Sequence, residues 1–97
     1  MEVTVMTPEF GRWMGYAMEL VRKERQVDLT FKDGPRYIKI VEHIGAQRGV
    51  FAFIDKKTGN VLKPESWSKP ARHARGNIFD ADGGTKYLTP YGPQYLR

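Results

Sequence analysis

The stretch that decides the fold is residues 51–79, which read FAFIDKKTGNVLKPESWSKPARHARGNIF. Its first part, residues 51–62, is apolar around a turn at Thr58-Gly59, where glycine accepts the positive φ that a tight hairpin requires. Its second part, residues 63–77, carries more charge than folding requires and one tryptophan. We therefore expect the first part to be a core hairpin and the second part to lie at the surface.

Upstream, the sequence predicts an N-terminal helix over residues 8–26. Thr7 is suited to the capping position, and Pro8 suits the first helical position because its missing N–H is not needed there. Apolar residues with the i, i+3, i+4, i+7 spacing of a buried face follow: Phe10, Trp13, Met14, Ala17, Leu20 and Val21. Gly11 and Gly15 weaken a helix relative to alanine, which indicates close packing against a neighbour.

An antiparallel meander is predicted between this helix and the basic part. Alternating apolar and polar residues over 27–32 and 36–44 are typical of half-buried strands. Residues 50–55 are apolar on both faces, as in a central strand, and residues 61–63 form a short fourth strand that Pro64 ends. The prediction is therefore three or four strands with the helix packed on one face.

The last third is expected to differ in character. Ser68 to Arg75, followed by Gly76-Asn77 as a stop signal, predicts one or two turns of a second helix. The C-terminal tail, residues 87–97, has too many prolines for a helix and too many aromatic residues to avoid the protein surface, so we expect it to lie extended there. Residues 1–97 are thus predicted to form a single small α+β domain.

Composition and charge restrict the possible functions. The formal net charge is +5 and the isoelectric point is about 9.6, which favours acidic partners such as nucleic acid. The excess lies in residues 56–75, where Glu65 is the single acid. Cysteine is absent, which excludes disulfides, thiolate metal sites and cysteine nucleophiles. The sequence has neither a signal peptide pattern nor an apolar run of roughly 18 residues, so we expect a cytoplasmic protein without membrane contact.

The basic part predicts a nucleic-acid site, and the candidate residues are Lys63, Trp67, Lys69, Arg72 and Arg75. The cations would contact phosphates while the tryptophan stacks on a base, a combination typical of proteins that bind single strands or bind without sequence preference. In the alternative interpretation, Trp67 packs over the sheet edge and the cations form a solvated face. No RNP1-type, KH or zinc-ligand motif is present.

Catalysis has little support in the sequence. His43 and His73 are the two histidines, and neither has a second acid or base at a telling spacing. The motif Asp80-x-Asp82 lacks the third oxygen ligand and the distal glutamate of a calcium loop. We therefore expect a non-enzymatic protein with no metal and no cofactor.

The aromatic tail predicts a second kind of function. Tyr87, Tyr91 and Tyr95 are spaced four apart, although Pro90 and Pro93 exclude the helix that would align them. Tyrosine is enriched where proteins bind each other, so a protein-interaction module is the alternative. Either a monomer or a homodimer, with a swapped tail, is compatible with the sequence.

The segments FIDKKTGNVLKPESWSKPARHARGNIFD and YGPQYLR resemble a family of small uncharacterised bacteriophage proteins. The shared pattern is TGxVxKPxSWxxPAxxxRGNIF followed by YGxxYLR, and the resemblance covers residues 51–97. It implies a phage origin, an accessory role and a location in the host cell cytoplasm, with no cofactor and no catalytic residue. The combined prediction is a phage accessory protein whose residues 56–75 bind nucleic acid. Its alternative is a module that binds and modulates a host or phage protein.

Overall fold

The computed structural model describes residues 2–94, in which a helix packs on an antiparallel sheet. The helix α1 spans Pro8–Arg25. The strands that follow are β1 (Asp28–Asp33), β2 (Tyr37–Ile44), β3 (Gln47–Asp55), β4 (Asn60–Pro64), β5 (Pro70–Asn77), β6 (Leu88–Thr89) and β7 (Gly92–Pro93). The predicted α+β class is therefore confirmed. No helix within residues 2–94 is long and apolar enough to cross a bilayer.

The first helix agrees with its prediction to within one residue. Pro8 is its first residue, and Gln26 ends it in the left-handed conformation at φ 56°, where its amide donates to the Arg22 carbonyl at 3.1 Å. The Thr7 side chain does not cap α1; its Oγ1 accepts from the Thr4 amide at 2.8 Å instead. The buried face consists of Phe10, Trp13, Met14, Ala17 and Val21.

The outer face of α1 differs from expectation at its glycines. Gly11 and Gly15 are exposed, and a Cβ built at either position would meet nothing within 4 Å. The prediction that they pack closely against a neighbour is therefore wrong for the described part of the chain. They lie on the side of α1 that faces away from the sheet.

The sheet order β1-β2-β3-β4-β5 repeats the order of the strands in the chain, and every pair is antiparallel. The predicted meander is confirmed, but among the described residues it has five strands rather than three or four. The register shifts in the β2–β3 pair, where Ile40 faces Ala52 and Val41 faces Val50. The extra residue, Phe51, joins Ala52 in the core beneath α1.

The predicted short helix after Ser68 is wrong, because these residues form β5. Leu62 faces Ala74 and Pro64 faces Pro70 across the β4–β5 pair. Without β5, the edge of β4 would leave backbone N–H and C=O groups unpaired. Alanine and arginine favour a helix, but this local preference is small compared with the backbone pairing that a strand gains here. The two prolines face each other near the end of the hairpin, where a missing N–H removes the least pairing.

The tail packs on its own sheet as far as Gln94. Strands β6 and β7 pair with each other, and β7 lies against β3 and β4. Gly92, at φ 110°, approaches the Phe51 carbonyl so closely that a Cβ there would lie 2.8 Å from its oxygen. The prediction that the tail lies extended on the surface is therefore wrong for the described residues, because the tail folds back as a hairpin and buries Leu88, Gly92 and Pro93. Tyr95, like Leu96 and Arg97, lies outside them.

Contacts from the C-terminal end of α1 hold the tail at Pro90 and Tyr91. The Arg25 guanidinium donates to Glu42 Oε1 at 3.1 Å and to the Pro90 carbonyl at 3.0 Å. Its central carbon also lies 4.5 Å from the centroid of the Tyr91 ring. One side chain therefore connects α1, β2 and the tail.

Candidate functional site

The face of the sheet opposite α1 has no helix over it in the described chain. The strand registers align one row of residues across all five strands: Lys32, Lys39, Phe53, Leu62 and Ala74. Phe53 and Leu62 are buried, yet they do not belong to the core cluster around α1. They therefore point to the other side of the sheet. We call this side, marked by that row, the open face.

The loop between β4 and β5, residues 65–69, lies over the open face. The amides of Glu65 and Ser66 donate to the Lys69 carbonyl at 2.9 and 3.0 Å, which closes the loop into a tight turn. Trp67 lies within this turn, and Lys39 Nζ is 4.2 Å from the centroid of its ring. This cation–π contact holds the ring over the sheet, while Trp67 remains 49% exposed.

Two clefts flank Trp67. The first, which we call the lysine cleft, has a volume of about 310 Å³ and is lined by Lys32, Arg36, Tyr37, Lys39, Phe53 and Ser68, together with the turn at Gly34-Pro35. The second has a volume of about 340 Å³ and lies between β3 at Gly49-Val50 and residues 64–67. The loop that carries Trp67 therefore borders the lysine cleft through Ser68 and the second cleft through residues 65–67.

The lysine cleft concentrates positive charge. Lys32 on β1 lies directly opposite Lys39 on β2, and like charges in this position destabilise a sheet. Among the described residues, neither lysine has an acidic partner within salt-bridge distance. The Trp67 ring offsets part of the charge of Lys39 only. The pair is therefore unfavourable for the stability of the sheet.

Arg36 is held at the rim of this cleft by Asp55. Arg36 Nη2 lies 3.2 Å from Asp55 Oδ2, and Arg36 Nε lies 3.3 Å from Oδ1. Burial alone would raise the pKa of the Asp55 carboxyl, but hydrogen bonds from Arg36 and the Lys57 amide outweigh burial and keep that pKa below its usual value. Asp55 therefore stays ionised and orients the guanidinium.

The structure distributes the sequence-predicted site residues over two faces. Trp67, Lys69 and Arg72 are exposed on the β4–β5 loop and on β5. Lys69 Nζ lies 3.4 Å from Glu65 Oε2, but both side chains are largely exposed, so the pair is weak. These three residues lie beside the open face, where they could contact the same ligand as the residues of that face.

Lys63 and Arg75 lie on the side of α1 instead. Lys63 alternates with Leu62 on β4, and its Nζ lies 3.5 Å from the Pro93 carbonyl. Arg75 is 5% exposed and donates from Nη1 to the His73 carbonyl. Lys63 therefore contacts the tail, and the sheet separates both cations from the Trp67 ring.

Sequence reasoning missed Lys32, Arg36 and Lys39. They appear in the sequence as ordinary polar positions of half-buried strands, and what brings them together is the register set by the turn between Asp33 and Ile38. The alternation of apolar and polar residues along β2 did contain one indication, because it places Lys39 and Tyr37 on the same side of the strand. Nothing in the sequence specified that the β4–β5 loop would fold back over that side.

Lys56, at the start of the basic stretch, contributes to folding. Its Nζ donates to Asp33 Oδ1 at 2.8 Å and to the Gly34 carbonyl at 3.1 Å. Its side chain is 13% exposed, so it is not part of the candidate surface. Within residues 2–94, no group of three or more His, Asp or Glu side chains is placed to hold a metal ion.

Comparison with known proteins gives a family but no activity. No curated protein matches the chain at a significant level, and no solved structure does. A family model matches residues 4–91, which include α1, all five strands of the sheet and β6. The match does not bear on phage origin, which stays a prediction. The helix, the open face and the first residues of the tail thus fall within one family, and the chain belongs to the family of unknown function DUF7717.

Proposed function

We propose that the protein binds single-stranded nucleic acid across the open face, without strong sequence preference. The observation that carries this proposal is the contact between Lys39 and Trp67, which holds a half-exposed aromatic ring over a sheet face that no helix covers in the described chain. Sheet faces that present aromatic side chains to bases are a common way to bind single strands. Base stacking of this kind tolerates any sequence because every base has a π-face.

The charges around Trp67 support phosphate contact. Lys32 and Lys39 line the cleft on one side of the ring, and the exposed Arg72 lies on the neighbouring strand β5. None of the three has a carboxylate partner among the described salt bridges. A strand that stacks one base on Trp67 would therefore bring its flanking phosphates close to unneutralised cations.

The shape of the site favours a single strand over a duplex. The half-exposed Trp67 ring lies beside Lys39 of the sheet, and the loop that carries it borders two recesses. In a duplex the base faces are stacked on each other and cannot reach such a ring without unpairing. A single strand exposes them, so it gains the stacking contact at lower energetic cost.

The biological part of the proposal is a non-enzymatic accessory role in phage infection, which rests on the resemblance of residues 51–97 to small bacteriophage proteins. The alternative function, binding to a host or phage protein, is favoured by one observation. Tyr91 in the tail is 74% exposed, as an interface residue would be.

The decisive experiment is a titration of fluorescently labelled single-stranded DNA, single-stranded RNA and duplex DNA by anisotropy, at about 50 and about 200 mM salt. We expect single strands to bind more tightly than the duplex, and to weaken steeply as the salt rises. Absence of single-strand binding at low salt would overturn the proposal. Capture of a specific partner from nuclease-treated host lysate by the protein, lost in Tyr91→Ala, would then support the alternative.

A further inference from the structure

We propose that the lysine cleft binds a terminal phosphate group, so that the protein recognises phosphorylated strand ends in preference to the interior of a strand. This inference rests on the proposed single-strand binding and adds the chemical group that one cleft takes. The observation that leads to it is the direct cross-strand pairing of Lys32 with Lys39.

The charge in the cleft matches a phosphomonoester. Arg36 is neutralised by Asp55, whereas Lys32 and Lys39 face each other without a carboxylate in the described chain. A terminal phosphate carries about −1.5 to −2 charges at pH 7, so one group can neutralise both ammonium groups. A phosphodiester within the strand carries a single negative charge and would leave one lysine without a counter-charge.

The donors around the cleft suit three or four phosphate oxygens. The two lysine ammoniums supply rotatable N–H groups from adjacent strands. Arg36 uses Nε and Nη2 on Asp55, so its Nη1 is not occupied by that pair. Ser68, whose side chain carries a hydroxyl group, also lines the cleft. Charge-assisted hydrogen bonds of this kind are roughly twice as strong as neutral ones.

The walls of the lysine cleft favour the end of a nucleic-acid strand over its interior. The turn at Gly34-Pro35 forms one wall and Ser68 of the β4–β5 loop forms another. A nucleic-acid strand that passes over Trp67 into the cleft therefore meets the β1–β2 turn beyond the two lysines.

The apolar residues of the cleft increase the effect of its charges. The Tyr37 and Phe53 rings meet edge to face, with centroids 6.0 Å apart, and Phe53 is 2% exposed. Such surroundings lower the local dielectric, so an ion pair formed above them is stronger than the same pair in open water. The aromatic pair thus forms an apolar floor beside the two lysines.

The experiment compares one oligonucleotide sequence in three forms: with a 5′-phosphate, with a 3′-phosphate and with hydroxyls at both ends. We expect one phosphorylated form to bind about tenfold more tightly than the hydroxyl form, as gained charge-assisted hydrogen bonds imply. The form that gains identifies which end the cleft takes. Lys32→Met should remove this gain, whereas the matched control Arg72→Met should weaken all three forms by the same factor.

The outcomes separate this inference from the proposed function. Equal, salt-dependent binding of all three forms would overturn the terminal-phosphate site and leave single-strand binding intact. A gain that persists in folded Lys32→Met would overturn it as well, because the phosphate would then bind elsewhere. If no form binds at low salt, both proposals are wrong. Lys32 is exposed, so the variant should fold, which circular dichroism can verify.

Discussion

Lys39 Nζ lies 4.2 Å from the centre of the Trp67 ring, so a cation of β2 and an aromatic ring of the β4–β5 loop form one unit on the open face. The lysine occupies one side of the ring, and a base can stack on the other side. Because neither group belongs to the hydrophobic core, changes to either one should alter ligand binding more than folding.

Removal of the ring should remove the stacking contact. We expect Trp67→Ala to weaken binding of single-stranded DNA by about 1–3 kcal/mol, the usual contribution of stacking on one base, which is roughly 5- to 150-fold. Trp67→Phe should retain part of the affinity. Tyr16→Ala serves as the control, since Tyr16 is an exposed aromatic residue of α1, on the other side of the sheet. Equal losses in the Trp67 and Tyr16 variants would contradict the proposed site.

The salt dependence of binding should identify the cations that contact phosphate. We expect Lys39→Met to reduce the slope of log affinity against log salt by about 0.7, the value for one contact with a single strand. Lys23→Met on the outer face of α1 should leave the slope unchanged. Lys63→Met should also leave it unchanged, because Lys63 lies on the tail side of the sheet. A change in slope for Lys63→Met, with none for Lys39→Met, would favour the site predicted from the sequence.

Asp55 should make folding stability depend on pH in the acid range. Its pKa is lowered in the folded state, so its contribution is present above the unfolded pKa of about 3.9 and is lost as the pH falls through the folded value. We expect Asp55→Asn to lower the free energy of unfolding at pH 7 by roughly 1–2 kcal/mol. Urea denaturation at several pH values should show the two proteins converging below about pH 4. A difference that is constant down to about pH 2 would contradict this assignment.

The exposed glycines of α1 offer a gain in stability. Gly11→Ala and Gly15→Ala should each raise the free energy of unfolding by up to about 1 kcal/mol, because alanine restricts the unfolded chain and nothing obstructs a Cβ at either position. Thermal denaturation measures the effect. A loss of stability would show that something packs against this face, as the sequence had suggested.

Substitution of Gly92 by alanine should lower the free energy of unfolding. Gly92→Ala combines a left-handed φ of 110° with a backbone oxygen 2.8 Å from the new Cβ. We expect it to cost more than about 2 kcal/mol, and to make the tail more sensitive to proteolysis. Gly45→Ala is the matched control, because it has a φ of 59° but open space around the Cβ. An equal loss in both variants would mean that the close approach to Phe51 contributes nothing.

Sequence patterns predicted α1 and the first four strands because local forces determine them. Pro8 starts the helix, the apolar spacing identifies its buried face, and Gly59 takes the positive φ of the β3–β4 turn. The fifth strand could not be predicted in this way. Its residues around Ala74 favour a helix locally, and only the unpaired edge of β4 requires a strand there.

The candidate site was predicted in part, for a related reason. Trp67 and Arg72 were recognised because charge and aromatic character are visible in a sequence. The separation of Arg75 from Trp67 follows from the alternation of side chains along β5, which a helical interpretation conceals. Lys32 and Lys39 are brought together by strand register, and register depends on turn geometry that composition does not reveal.

The sheet order that repeats the chain order has a consequence for how the protein reaches its native state. Each of the strands β2 to β5 pairs with the strand that precedes it in the chain, so the growing sheet closes only short loops at each step. Proteins whose contacts are close in sequence fold faster than those with distant pairings. The β4–β5 hairpin, which carries Trp67, can form from neighbouring residues alone, whereas docking of β7 on β3 joins distant parts of the chain. We therefore expect the open face to assemble before the tail docks.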